Sequence, residues 1–249
     1  MKKLLRWPMS VALALLAASF LTYALLYLAY HNLREILLSF INNIAFLFIY
    51  VLVVMLVIEQ LLAKREKRVL MKKLNMVIGT FFSAVGLDML KKFRDYVTNA
   101  DALGPELLFS SAWQEKDFER AMAKAKAFSY KVRVTPESLG ELRRILGADR
   151  TFLLRLLENP NLLEHERFTD LLWAVFHLAE ELDIRGESFE NLPESDYAHL
   201  AVDVKRAYSQ IASEWLAYAF HLKQSYPFLF SLVARVNPFG PQPSPIVRS

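Results

Sequence analysis

The chain has no cysteine. Disulfides, thiol nucleophiles, thiolate zinc sites and Cys-ligated iron–sulfur clusters are therefore excluded. Glycine is scarce, at seven in 249 residues, which leaves few tight turns and favours helices. There is no glycine-rich phosphate loop ending in Lys-Ser/Thr, no dinucleotide fingerprint, no His-Glu-x-x-His and no Gly-x-Ser-x-Gly. Acidic residues are short in one region. Residues 1–75 hold three Asp/Glu against ten Lys/Arg, whereas residues 76–249 hold 23 against 20. The sequence pI near 9.2 is thus a property of the first third. It does not mark a basic surface spread over a domain, and no nucleic-acid partner is expected.

What is abundant is apolar: 54% of residues are hydrophobic and the mean hydropathy is +0.22. Pro8 to Tyr30 and Ile36 to Ile58 are charge-free runs of 23 residues each. As helices each extends roughly 34 Å, enough to cross a bilayer. Trp7 and Tyr30 fall where aromatic rings favour headgroups. Only His31 to Glu35 separates the runs, so they form an antiparallel hairpin. A cleaved signal peptide is the rival reading of the first run, with Lys2, Lys3 and Arg6 as its basic start. Its length and the second run close behind favour a retained hairpin. Basic residues before the first run and after the second place both termini in the cytoplasm.

Ser10, Ala14, Ala18 and Thr22 recur every four residues in the first run, a small-residue stripe suited to close helix approach. Asn42 and Asn43 reach the depth of Thr22 and Tyr23 and want partners there. Packing within the hairpin and dimerisation through the same stripe both remain open, so a homo-oligomer is one expectation. The second run leads into Lys64, Arg65, Lys67, Arg68, Lys72 and Lys73, an electrostatic foot suited to anionic lipid. Leu74 to Leu87 is again uncharged, but too short to span. Burial in a domain, an interfacial position and re-entry are the three readings.

Beyond lies an all-α bundle. Asp101 to Pro105 reads as a linker broken by Gly104 and Pro105. Gln114 to Tyr130 reads as a helix. Thr135 caps the next, with Pro136 at its first position, and Gly147 ends it. Asp149 opens another, running to Asn159-Pro160. In the stretch 161–183 the core side is Leu171, Leu172, Val175, Phe176, Leu178 and Leu182. In 193–224 the stripe is Leu200, Val204, Tyr208, Ile211, Trp215 and Tyr218, and Tyr226-Pro227 interrupts. The expected organisation is a transmembrane hairpin over 1–60, a basic and amphipathic segment over 61–100, a cytoplasmic bundle over 101–236 and an extended, partly disordered tail over 237–249.

No catalytic residue, metal ligand or cofactor is assigned from the sequence. The strongest constellation is Asp196, His199 and Asp203 on one helical face, with His177, Glu180 and Glu181 one helix earlier. Bundles do build metal sites from such spacings, but di-iron bundles use two Glu-x-x-His pairs. Here there is one Asp-x-x-His and one reversed His-x-x-Glu, so solvated faces with helix charge pairs are the simpler reading. His165 and His221 read as surface or cap residues.

Three stretches carry a resemblance: Arg65 to Ser83 with Gly86, Phe168 to Leu178, and Tyr226 to Leu232 followed by Asn237-Pro238-Phe239. They resemble an uncharacterised family of bacterial membrane proteins with an N-terminal hairpin and a helical cytoplasmic domain. The resemblance implies a bacterial inner-membrane, multi-pass protein and carries over no functional residue. The expected function is a membrane-anchored helical domain that binds an unidentified protein partner or itself. The alternative is a helix-bundle enzyme or metal-dependent sensor using His177, Glu181, His199 and Asp203.

Overall fold

The computed structural model describes residues 6–240 and 243–246. The fold is all-α: an N-terminal pair of long apolar helices is followed by a helical bundle. Lys2 and Lys3, expected to flank the first span, lie outside the described residues, as does the side chain of Ser10. The chain divides into two compact units, Met1–Lys67 and Arg68–Ser249.

In the first unit, α1 (Arg6–Tyr30) is followed by α2 (Leu33–Phe81), whose first half belongs here. Between them His31 adopts φ +50°, a left-handed turn reached without glycine. Both helices are long and apolar enough to cross a membrane. Their large apolar side chains are exposed, among them Phe20, Leu25, Phe48 and Met55. Asn43 Nδ2 donates to Tyr23 Oη at 3.1 Å, and the Tyr23 ring meets Phe40 edge-on at 5.7 Å.

The second unit begins on the same α2. Leu74, Ile78 and Phe81 are fully buried, so the uncharged stretch after the basic residues is core of the bundle rather than a surface or re-entrant segment. A π-helical turn, Phe82–Gly86, then shifts the register into α3 (Leu87–Asp95). Such a turn inserts one extra residue and rotates the apolar face that follows. It points Phe82 onto Trp215 and Tyr218, at ring distances of 5.1 and 5.5 Å.

The linker expected at Asp101 to Pro105 is instead α4 (Ala100–Leu107), with Pro105 inside it. Burial of Ala100, Leu103 and Leu107 on one face overrides the two breakers. Next come α5 (Glu115–Ala127) and α6 (Pro136–Leu157). Thr135 caps α6 with Ser138 in a reciprocal box, but Gly147 does not end it. The helix runs on because Leu146 and Leu153 continue one buried face across the glycine.

A 3-10 turn, Pro160–Glu164, leads into α7 (Glu166–Ile184), α8 (Glu194–Ser225) and α9 (Pro227–Arg235). α8 is the central helix, packed by α3, α5, α7 and α9, while α6 packs on the other side of α7. All six core residues expected in α7 are buried; of the six in α8, only Tyr218 stays half-exposed. The start of the tail is not extended into solvent. Residues 237–240 are buried, Asn237 Nδ2 donates to the Leu107 carbonyl at 3.3 Å, and Arg94 donates to the Pro238 carbonyl at 2.8 Å.

Candidate metal centre

α7 and α8 run antiparallel, and one row of polar residues lies along their shared edge. Arg185, at the C-terminal cap of α7, donates Nε and Nη2 to both oxygens of Asp196 in the first turn of α8, at 2.8 and 2.7 Å. It also bonds the Glu181 carbonyl and carboxylate one turn back on α7. This fork fixes the register of the two helices. One turn further in, Glu181 faces His199, and one turn beyond that His177 faces Asp203.

The geometry there is tight. His199 Nε2 lies 3.3 Å and His177 Nε2 3.6 Å from Asp203 Oδ2. One atom from each of the three residues falls within 4.8 Å of the other two. A metal bound at about 2.0–2.1 Å in tetrahedral geometry holds its ligand atoms about 3.3–3.4 Å apart. The two imidazole–carboxylate edges, 3.3 and 3.6 Å, lie near that separation, and the edge between the imidazoles is within 4.8 Å. Glu181 closes the cluster, 3.9 Å from His177 Nε2 and 3.5 Å from His199 Nε2.

The electrostatics are distributed unequally. The Asp203 side chain is 1% exposed, whereas the two imidazoles are 45% and 49% exposed. Arg206 donates Nη1 to Asp203 Oδ1 at 2.7 Å, which satisfies that oxygen. Among the described residues Oδ2 has no hydrogen-bond donor, although His199 Nε2 is near enough to be one. The pair does not meet hydrogen-bond geometry, and the three ligand atoms lie close enough together to share one ion. A buried carboxylate oxygen left without a donor is costly, and a cation supplies what it lacks. The Arg185 guanidinium beside Glu181 holds that carboxyl below its usual range, against the opposing effect of burial, so it stays ionised.

Sequence spacing brought His177, Glu181, His199 and Asp203 into view, and the structure brings all four together rather than onto separate solvated faces. Glu180 is exposed and not among the clustered residues, and Asp196 is engaged by Arg185. Arg185 and Arg206, which orient the carboxylates, were not singled out; their i+4 spacing to Glu181 and i+3 spacing to Asp203 was the available signal.

The other expected sites fall as follows. Lys64, Arg65, Lys67, Arg68, Lys72 and Lys73 are all exposed on α2. Ala14, Ala18, Thr22, Asn42 and Asn43 are exposed, and Thr22 Oγ1 is spent on the Ala18 carbonyl at 2.8 Å. His165 is buried, not a surface residue, and caps α7 by accepting the Phe168 N–H on Nδ1 at 3.1 Å. His221 is half-buried and pairs with Asn75, with Nδ1 and Nδ2 3.2 Å apart; burial depresses its pKa. Sequence reasoning missed Glu214 entirely. It is 3% exposed within the stripe of α8 and is held by Arg167 at 3.2 Å.

Two family descriptions match the chain. "MJ1433, N-terminal helical domain" covers residues 2–62, and "Uncharacterized protein MJ1433, C-terminal helical domain" covers residues 70–235. The MJ1433 protein of the archaeon Methanocaldococcus jannaschii is 40% identical over 242 residues, which is 94% of each chain. No solved structure matches. The archaeal relative overturns the expected bacterial family. The bacterial inner-membrane placement, multi-pass with both termini cytoplasmic, falls with it. What stands is a pair of apolar helices of membrane-crossing length. Two models spanning both parts of the chain and a relative aligned nearly end to end make it a member of the MJ1433 family.

Proposed function

We infer that the bundle carries a metal centre formed by His177, His199 and Asp203 with Glu181 beside it, and that the protein acts as a metal-dependent enzyme or sensor. The single observation that carries this reading is the buried Asp203 Oδ2, without a hydrogen-bond donor among the described residues, set against two imidazole nitrogens at 3.3 and 3.6 Å. Two imidazoles and one carboxylate suit Zn2+ or Fe2+, and three protein ligands leave a position for water or a ligand. The half-exposed imidazoles put that position at solvent. The test is metal analysis of the purified full-length protein. About one equivalent of Zn2+ or Fe2+ is expected, with its removal lowering the melting temperature because metal affinity couples to folding. Asp203→Asn and His199→Ala should abolish binding. A trace of metal with no stability change on chelation overturns the reading.

The apolar helix pair supports integral membrane association, with the exposed basic residues from Lys64 to Lys73 meeting anionic headgroups. Each basic residue near such a surface contributes about 1 kcal/mol. In this reading Ala14 and Ala18 form a close-packing stripe, and the bundle is presented at the membrane surface, open to a protein partner. Full-length protein reconstituted in vesicles should resist extraction by high salt and alkali, and replacing the six basic residues by Gln should remove its preference for anionic vesicles. Release by salt alone would refute membrane integration.

A further inference from the structure

The register that builds the centre continues past it. Arg185 pairs with Asp196, Glu181 with His199, and His177 with Asp203. One turn onward, the antiparallel arrangement places Trp173 of α7 level with Arg206 of α8. Trp173 is 56% exposed, unusual for an indole, and its ring meets Phe176 edge-on at 6.3 Å. Arg206 is 51% exposed, and its Nη1 is tied to Asp203 Oδ1 at 2.7 Å. That bond spends one of five N–H donors and holds a planar guanidinium one carboxylate away from the centre.

The charges along the row have a definite sign. Asp203, Glu181 and Asp196 are matched against Arg185 and Arg206, leaving one negative charge in excess. A divalent cation at the centre reverses this to one positive charge in excess, with two cationic points side by side at the solvent edge. Such a pair is the usual clamp for a phosphoryl group: a metal takes one oxygen and an arginine takes another. Resting on the metal reading above, we propose that the loaded centre binds a phosphate-type oxyanion, one oxygen in the open metal position and a second on the Arg206 guanidinium. When the phosphate is esterified, the exposed Trp173 indole is the surface on which its organic part lies.

The experiment uses full-length protein loaded with Co2+, whose visible absorption reports ligands entering the metal shell. Metal stoichiometry is measured first, so that failure of the centre and failure of the anion site are separate results. Inorganic phosphate should shift the Co2+ bands and bind at least about tenfold tighter than acetate. Arg206→Gln should keep one equivalent of metal and weaken phosphate by about tenfold or more, as expected for loss of a charge-assisted pair. Trp173→Ala should weaken phenyl phosphate but not inorganic phosphate, which separates the ester from the free ion. If Arg206→Gln loses metal, Arg206→Lys, which keeps the charge and the Asp203 contact, should retain metal and still bind phosphate less tightly than the native protein. Metal bound at one equivalent with bands unmoved by phosphate, or with acetate equally effective, overturns the proposal. A protein that takes up no metal overturns it together with the reading beneath it.

Discussion

The backbone of Gly86 lies directly against the ring of Phe81: a Cβ built on the glycine would sit 2.4 Å from Phe81 Cε1. Phe81 is fully buried and meets Phe168 of α7 edge-on at 5.3 Å, so it has nowhere to withdraw. Gly79, nearly two turns earlier, has its nearest neighbour at the Tyr218 hydroxyl, 2.8 Å from such a Cβ. That atom is the tip of a half-exposed side chain.

The two glycines should therefore respond differently to alanine. Gly86→Ala should cost about 2–3 kcal/mol through overpacking, and Gly79→Ala about 1 kcal/mol or less. Chemical denaturation of the two variants measures the difference. Equal costs would mean that Phe81 can move and that Gly86 is not required for its packing.

Glu214 makes stability depend on pH. Burial pushes its carboxyl up to about 7, only partly offset by Arg167 and Lys126. The folded protein therefore holds a proton between pH 4.5 and 7 that the unfolded chain has released. Where the native state binds the extra proton, stability falls as pH rises. His165, whose Nε2 is 3.9 Å from Glu214 Oε1, has its pKa lowered by burial and by Arg167, and acts in the opposite sense by losing stability below pH 6.5. Glu214→Gln removes the first contribution alone. Its melting temperature should decline less between pH 5 and 7.5 than that of the native protein. Parallel curves would show that Glu214 titrates normally.

Asn237 anchors the residues that follow α9. Its Oδ1 accepts the Phe239 N–H at 3.2 Å, and its Nδ2 serves the Leu107 carbonyl. Asn237→Ala leaves both backbone groups without their partner in a buried setting, at about 1–3 kcal/mol. Limited proteolysis should cut after Arg235 faster in the variant, before the bundle itself is attacked. Unchanged cleavage would mean that Phe239 holds the segment unaided.

The helices were legible where the apolar period was long and clean, as in α7 and α8. α4 was not, because Gly104 and Pro105 are strong local signals and the tertiary burial of Leu103 and Leu107 cannot be read locally. The site was legible by halves. The pairs His177/Glu181 and His199/Asp203 show the spacing of one helical turn. Which turn of α7 faces which turn of α8 is set by the connection from Gly186 to Pro193 and by the Arg185 fork, neither of which has a periodic signature. Glu214 could have been noticed as the one carboxylate between Ile211 and Trp215, inside an otherwise apolar stripe.

The pairing of α2, α3 and α4 with the far end of the chain has a consequence in time. Asn75 finds His221 across 146 positions, Arg94 finds the Pro238 carbonyl across 144, and Leu107 finds Asn237 across 130. At ribosomal speeds of about 5–20 residues per second, that interval is roughly seven to thirty seconds. For the first part of it Leu74, Ile78 and Phe81 have been synthesised and Phe168, the α7 ring that Phe81 meets, has not. A nascent chain thus exposes an apolar strip just behind its apolar helix pair for that time, and whatever shelters the pair during synthesis must shelter the strip as well.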